Sequence, residues 1–517
     1  MKTIADIVAD IDEIELRRGD PATPIEAVSS DSRAVKEGGL FVALSGHHFD
    51  GHDFLDAAVN AGVSAVLVDK GRQAPSEVAV LETANAWSVL GLLGRSFYDN
   101  PTRQMKVIGI TGTNGKTSTT YLLRSICVAA GWNPGIIGTI EYRWADRRVK
   151  APNTTPDGLV LQRTLRTMVD DGVDVAILEV SSHGLEQGRV KGVEFDAGIF
   201  TNLSHDHVEF HGSVEAYRRA KWRLFEEYLP ASANGKESSP VAVVNAGHRE
   251  GRKLLSALTG NPHLEVVSHG WKEAKAIDEV DHFRGTDLRL ELAGVAVQVE
   301  EPDGRRYELG VSMPGEFNAE NMLSAAVCAR RLGVSVEDVR RGLAQAEGVP
   351  GRMERVGDID TQPAVFVDYA HSPDALEKVL KTLRGVAKGR LWVVFGCGGD
   401  RDRSKRGPMG AVAARWADRI VVTSDNPRSE DPEAIVDSVV EGIEEELGPS
   451  GSSMDKKWWR QVDREQAIVD AILRARPEDV ILVAGKGHET TQERAGQLKK
   501  FDDRLVASRA LRRRGVG

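Results

Sequence analysis

An apolar run, Met105 to Ile110, ends in Thr111-Gly112-Thr113-Asn114-Gly115-Lys116-Thr117 and passes into a stretch of helical character, Ser118 to Ala130. Strand, glycine-rich turn and helix in that order commit the chain to a βα unit whose turn can approach a phosphate closely. Small residues let backbone N–H groups point inward, Lys116 adds a point charge, and the Thr117 hydroxyl can hold Mg²⁺. The full Walker spacing asks for glycine at position 110, where this chain has Ile, so the loop is the shorter Gly-Thr-Asn-Gly-Lys-Thr form. A nucleoside triphosphate is the expected ligand.

Five further apolar runs end the same way. Ile177-Leu178 leads to Glu179-Val180-Ser181-Ser182-His183, Val365-Phe366-Val367 to Asp368-Tyr369-Ala370-His371, Val421-Val422-Thr423 to Ser424-Asp425-Asn426-Pro427-Arg428, and Leu482-Val483-Ala484 to Gly485-Lys486-Gly487-His488-Glu489. Val393-Val394-Phe395 runs likewise into Gly396 to Arg403. In open α/β sheets ligands bind beyond the carboxyl ends of the strands, so two loaded sheets suggest a cleft where two substrates meet.

At 517 residues the chain exceeds one hydrophobic core, and three α/β domains are expected. They are residues 1–102, a small α/β unit; 103–350, a P-loop ATPase-like unit with a mainly parallel sheet; and 351–517, a Rossmann-like unit. Residues 264 to 312 read as short alternating strands, a small antiparallel patch. Val349-Pro350-Gly351-Arg352 is the candidate linker, and 446 to 457 reads as a flexible loop. A net charge of −10 argues against a nucleic-acid surface. No apolar run approaches the ~18 residues of a membrane span, and acids interrupt the N-terminus early. Cys127, Cys328 and Cys397 have no metal or redox spacing and read as buried thiols of a reducing compartment. A cytoplasmic monomer is expected.

His207 and His211 have zinc-like spacing, but Glu179 and Thr117 on neighbouring strand ends favour Mg²⁺ with phosphate; a purely structural histidine cluster is the alternative. Lys221 shares a helix face with Tyr217, Leu224 and Phe225. Its stem either snorkels to water, or its neutral amine captures CO₂ as a carbamate and becomes an anionic metal ligand. Arg401, Arg403, Arg406 and Arg428 gather at strand ends facing Glu489 and His371. Arg403 and Arg406 can simply solvate, whereas Pro427 fixes the turn that presents Arg428, suiting it to a carboxylate.

These motifs resemble the Mur ligases along essentially the whole chain. Gly112 to Thr117, Asn153-Thr154-Thr155-Pro156, Glu179 to Gly184, Asp206-His207, Ala220-Lys221, Asn318-Ala319-Glu320-Asn321 and Asp368 to His371 stand in that family's order. Asp31-Ser32-Arg33 with Phe41 to His47 is similar to the uridine-binding domain of its MurE type, and Asp425 to Arg428 resembles the signature of members that add meso-diaminopimelate. The resemblance implies ATP-dependent amide ligation in peptidoglycan synthesis. A carboxylate attacks the ATP γ-phosphate, and the resulting acyl phosphate is taken by an amine. It implies that Gly112 to Ser118 hold phosphates, while Asn318, Asp368 and His371 reach the rest of ATP. Ser30, Ser32, His47, His48 and Phe49 would meet the uridine nucleotide, with His48-Phe49 where a more polar pair is expected. Asn153, Thr154, Thr155, Ser181, Gln187 and Arg189 would hold the UDP-N-acetylmuramoyl-dipeptide. Thr117, Glu179, His207 and carbamylated Lys221 would surround Mg²⁺. Arg401, Asn426 and Arg428 would bind the distal carboxylate of diaminopimelate, Gly485 its backbone-facing polar groups and Glu489 an ammonium. Lysine would leave those guanidinium groups unpaired, a penalty of ~3 to 5 kcal/mol. The rival readings are an L-lysine-adding enzyme, another Mur or folylpolyglutamate-type amide ligase, and a nucleotide-regulated binding protein without turnover.

Overall fold

A computed structural model describes residues 1–46, 50–204, 208–271, 280–358, 360–448 and 457–515. The expected contacts of His47, His48, Phe49, Asp206 and His207, and most of the loop at 446–457, lie outside the described residues. The chain forms two compact units: residues 1–285 with 299–306 and 323–342, and residues 286–298 with 307–322 and 343–517.

In the first unit the N-terminal segment folds around a sheet ordered Ile14–Arg18, Ala79–Thr83, Ala65–Asp69, Leu40–Val42, Val28–Ser29. Alternate residues face opposite ways, as period-2 geometry requires. Leu40, Val42, Leu67 and Leu81 enter one core, while Phe41, Val66, Val68 and Val80 enter another. The helices Ala86–Phe97 and Gly158–Asp170 cross where both carry glycine: a Cβ on Gly158 would lie 2.5 Å from Gly91 Cα. Any larger residue there would pry the helices apart.

The larger sheet of this unit runs Pro134–Ile137, Val175–Glu179, Lys106–Thr111, Ala197–Phe200, Val241–Asn245, Glu265–Trp271, with these neighbours paired in parallel. From the loop-bearing strand Lys106–Thr111 the chain crosses to Pro134–Ile137 and returns through Val175–Glu179. It then proceeds on the opposite side through Ala197–Phe200. The phosphate loop therefore leaves the sheet where the winding reverses, the place at which such sheets open a crevice. Glu265–Trp271 and the start of Asp281–Glu291 pair in parallel (Val267↔Asp281 to Trp271↔Gly285), so the expected antiparallel patch is not what begins this segment. Alternation of polar and apolar residues reports a half-covered strand and carries no information about its direction.

The second unit contains a sheet ordered Glu354–Val356, Ala364–Asp368, Val480–Ala484, Leu391–Phe395, Arg419–Val422, Trp458–Arg460. All but its first pairing are parallel. Phe366, Val393, Phe395, Val422 and Leu482 enter one core, and Val365, Val367, Val394, Val421, Ile481 and Val483 the other. Helices Pro373–Val386, Arg406–Trp416 and Pro432–Leu447 contribute to the first; Arg464–Arg474 and Asp503–Gly515 contribute to the second. Strands buried on both faces explain why these segments read as unbroken apolar runs. The candidate linker is a tight turn, with Val349 and Gly351 buried and Gly351 packed on Gly487. Among the described residues no helix is long and apolar enough to cross a membrane.

Candidate functional site

Gly112 and Gly115 have φ of 154° and 88°, which favours glycine, and a Cβ on Gly112 would enter the van der Waals shell of Thr201 Oγ1. The loop is pinned from the next strand end. Asn114 N–H donates to Asn202 Oδ1 (3.0 Å), Thr201 Oγ1 donates to the Asn114 carbonyl (2.7 Å), and Thr113 N–H reaches the Asn202 carbonyl (2.9 Å). Lys116 folds over it, with Nζ 2.8 Å from Gly112 O and 2.9 Å from Thr113 O.

Glu179 joins this loop to its surroundings. Its carboxylate accepts the Thr117 hydroxyl (3.0 Å), the Thr139 hydroxyl (2.8 Å) and the Thr139 N–H (3.0 Å). Thr139 in turn meets Thr154 (3.1 Å), while Thr155 Oγ1 bonds the Glu179 carbonyl (2.9 Å) and Ser181 Oγ (3.1 Å). Arg189 donates to the Thr155 carbonyl (2.7 Å) and to Gln187 Oε1 (2.9 Å), and Tyr142 holds the Asn153 carbonyl (2.7 Å). Every described residue expected to hold the muramoyl dipeptide thus lies in a local polar framework continuous with the phosphate loop or beside it. Thr139 was not anticipated; its signal was one more strand end, Pro134–Ile137, followed by a polar residue.

Lys221 is 1% exposed on a helix, Val214–Arg223, that continues through a wide turn closed by Leu229 N–H on Leu224 O. Its head does not reach water, which removes the snorkelling alternative. Nζ lies 2.8 Å from Gly112 O and 4.6 Å from the Tyr217 ring centroid, and Tyr217 meets Thr113 through its hydroxyl (3.1 Å). Two lysines therefore converge on one carbonyl. Thr117 and Glu179, buried hard oxygen donors 3.0 Å apart, fit a magnesium ion. Among the described residues no group of three or more His, Cys, Asp or Glu forms a separate metal cage.

In the N-terminal segment, Ser30 and Ser32 sit half-buried around Asp31. Asp31 grips Arg33 through two side-chain bonds of 2.9 Å.

The second unit brings four predicted clusters to one sheet edge, because their strands are adjacent in the order Ala364–Asp368, Val480–Ala484, Leu391–Phe395, Arg419–Val422. Here Lys486, absent from the expected set, sits at the centre. Its side chain is fully buried, and Nζ reaches Asn426 Oδ1 (2.9 Å), Glu489 Oε2 (2.9 Å) and Asp425 Oδ1 (3.6 Å). Asn426 Nδ2 donates to Glu489 Oε2 (2.9 Å). Burial works to raise the Glu489 carboxyl, but Lys486 and Asn426 outweigh it and hold it below the usual range. For Asp425 burial wins and its carboxyl is pushed up despite Arg464 and Lys486. Gly485 has φ 116°, and a Cβ there would lie 2.8 Å from Asp425 Oδ2.

Arg428 has φ 52°, a left-handed conformation costly for a side-chain-bearing residue. The hairpin Thr491–Arg494/Gln497–Lys500 holds it there: Arg428 N–H donates to Glu493 O (3.1 Å) and Ala495 N–H to Arg428 O (2.6 Å). Pro427 alone is therefore not what fixes this turn. Arg428 Nη1 donates to Gly399 O (2.6 Å), and a Cβ on Gly398 would stand near both Arg428 Nη1 (3.1 Å) and Arg401 Cγ (3.9 Å). Arg406 does not solvate: it is buried and bonded to Glu430 (2.9 Å), which exposed Arg403 also approaches (3.1 Å). Below the strand ends Arg464 forms a fully buried pair with Asp503 (2.8 and 2.7 Å) and donates to the carbonyls of Ala484 (3.0 Å) and Ser424 (3.3 Å).

Asn318, Asp368 and His371 belong to this second unit. Asn318 donates to Pro314 O (2.8 Å) ahead of its helix, and Asp368 accepts the N–H groups of Met353 (2.7 Å) in the preceding turn and Ala370 (2.8 Å) in its own loop. The three cysteines are buried free thiols; burial pushes Cys127 and Cys397 up to about 12.

Three family descriptions match the chain: "Mur ligase family, catalytic domain" over residues 24–89, "Mur ligase middle domain" over 110–329, and "Mur ligase, glutamate ligase domain" over 351–487. The chain is 40% identical over 498 residues to the UDP-N-acetylmuramoyl-L-alanyl-D-glutamate--2,6-diaminopimelate ligase of Geobacillus kaustophilus (strain HTA426), covering 95% of this chain and 96% of that one. It is 41% identical over 501 residues to the like-named ligase of Geobacter metallireducens (strain ATCC 53774 / DSM 7210 / GS-15), covering 96% and 95%. A solved structure of a ligase with that name matches at TM-score 0.71 and 31% identity over 99% of both chains.

Proposed function

This chain belongs to the Mur ligase family, and on that premise we propose that it joins meso-diaminopimelate to the D-glutamate γ-carboxylate of UDP-N-acetylmuramoyl-L-alanyl-D-glutamate, with ATP as the energy source, in peptidoglycan synthesis. In this reading residues 1–102 take the uridine nucleotide, 103–350 the ATP phosphates and 351–517 the amino acid, in a cytoplasmic monomer. The observation that carries it is Glu179, which draws Thr117 of the phosphate loop and Thr139 of the substrate wall onto one carboxylate. A γ-phosphate and a substrate carboxylate would meet beside that framework.

A carboxylate anion is a poor electrophile, so oxygen attack on the γ-phosphate must come first, giving an acyl phosphate and ADP. The amine then adds to the acyl carbon, and phosphate leaves from the tetrahedral intermediate. Positioning and charge neutralisation dominate such chemistry. Lys116 and the loop amides would hold the phosphates. Thr117, Glu179 and a carbamate on Lys221 would hold Mg²⁺, which supplies positive charge to the transferring phosphoryl oxygens. Lys116 and Lys221 each lie 2.8 Å from Gly112 O; converting Lys221 to a carbamate replaces a like-charge pair with an attractive one. Arg401, Asn426 and Arg428 would receive the distal carboxylate, and Glu489 an ammonium. The test is incubation with the UDP-muramoyl dipeptide, ATP, Mg²⁺ and each candidate amino acid, with products identified by mass. A diaminopimelate adduct is expected; an adduct with L-lysine alone, or no acceptor-dependent ADP release, would defeat the reading.

A further inference from the structure

Gly485 and Gly487 flank Lys486, with φ of 116° and 51°. A Cβ on either would press on Asp425 Oδ2 (2.8 Å) or on Tyr369 Cβ and Gly351 O (both 2.7 Å). The glycines let the backbone turn tightly enough to send the lysine stem inward, where the ammonium is wholly enclosed. An ammonium carries only donors, and a backbone N–H can only donate. Asn426 Oδ1 accepts from both Lys486 Nζ (2.9 Å) and Glu493 N–H (3.0 Å). Those two donors decide which end of the Asn426 amide faces inward: its oxygen must, leaving Nδ2 as the outward donor that meets Glu489 Oε2 (2.9 Å). Lys486 also bonds that same carboxylate oxygen (2.9 Å), so one buried cation orients an amide and an acid together.

We propose that Lys486 is a positioning residue for acceptor choice: it locks the Asn426 amide with its NH₂ outward and aims the Glu489 carboxylate, so that a carboxylate-bearing, ammonium-bearing acceptor is matched. This rests on the ligase reading above. With Lys486 removed, only the Glu493 N–H still holds the Asn426 oxygen inward, so the amide is less firmly oriented and its NH₂ is presented less well to an incoming carboxylate. Asp425 and Glu489 at the same time lose the positive charge between them. An acceptor without a distal carboxylate loses less, so discrimination collapses rather than activity alone.

The experiment compares kcat/KM for meso-diaminopimelate and for L-lysine in wild type, Lys486→Met and Lys486→Gln, with KM for ATP and for the UDP-muramoyl dipeptide measured alongside. In Lys486→Met the diaminopimelate-to-lysine ratio falls about tenfold or more, the loss of one charge-assisted hydrogen bond's discrimination, while both other KM values stay within about twofold. Lys486→Gln keeps a donor for Asn426 Oδ1 and retains part of the ratio. A constant ratio with both amino acids slowed equally marks a merely structural lysine and overturns the proposal. Where Lys486→Met does not fold, Lys486→Gln carries the comparison alone: its ratio falls, though less, and an unchanged ratio there is equally fatal. Wild-type enzyme that makes no diaminopimelate adduct would instead overturn the activity assignment, an outcome distinct from product formed with an insensitive ratio.

Discussion

Arg428 combines two costs that mutation can separate. Its backbone sits at φ 52°, where an L-residue pays about 1–2 kcal/mol, while its side chain, 23% exposed, is held through Nη1 by Gly399 O at 2.6 Å and through Nε near the Glu493 carboxylate (3.5 Å), with Nη2 as the donor proposed for a ligand. Arg428→Ala deletes the guanidinium and keeps the backbone cost; Arg428→Gly deletes both. A two-pronged guanidinium–carboxylate contact in a partly buried site is worth about 3 kcal/mol, or roughly a hundredfold in kcat/KM. Both variants should therefore lose about that factor for meso-diaminopimelate, with KM for ATP nearly unchanged. Their thermal stabilities should diverge, Arg428→Gly being the more stable by about 1 kcal/mol. Steady-state kinetics with both substrates, together with thermal unfolding of each variant, provide the readout. Diaminopimelate use within about threefold of wild type in Arg428→Ala would refute the carboxylate contact. Equal stabilities would refute the claim of backbone strain.

Lys221→Ala should reduce turnover on the order of a thousandfold, as expected for loss of a charge at the transferring phosphate, and short carboxylates should partly restore the mutant while leaving wild type unaffected; a fully active mutant would eliminate the carbamate. Gly112→Ala forces a methyl into Thr201 Oγ1 and should cost about 3–5 kcal/mol in urea unfolding, with Thr201→Gly relieving part of it; an unmoved urea midpoint would contradict the close approach. His269 is fully buried, bonded to Ser324 (2.8 Å), and burial, with His282 and His248 adding to it, drives its imidazole down to about 3. The unfolded chain takes up a proton near pH 6.5 that the native state refuses, so this contribution is intact above about 6.5 and declines by about 1.4 kcal/mol per pH unit toward 3. Urea unfolding between pH 7 and 5 should show that slope lessened in His269→Gln, and identical slopes would disprove it.

The phosphate loop and the strand ends were legible because their signals are local: an apolar run followed within a few residues by polar chemistry. Strand direction in 264–312 was not, since alternation describes coverage and not orientation. Lys486 stood in plain view between two glycines after a buried strand, yet its importance depends on Asn426, sixty positions away. Arg406 misled for a similar reason. Its partner Glu430 comes from a different loop, and charge in a sequence reads as solvation until a counter-charge is located. Arg428 taught the reverse lesson: Pro427 offered a local cause for its fixed turn, whereas the hairpin after residue 490 supplies the constraint.

The enclosed Arg464–Asp503 pair makes the last helix part of the foundation beneath the proposed acceptor site, though none of its residues was expected to touch a ligand. A protease cut or stop codon ahead of position 503 would strip Arg464 of its counter-ion beneath the ends of two strands. The same cut would remove Val506, Ala507, Ala510 and Leu511 from the core beneath the sheet, so the setting of Asp425 and Gly485 and the stability of the strands would be lost together.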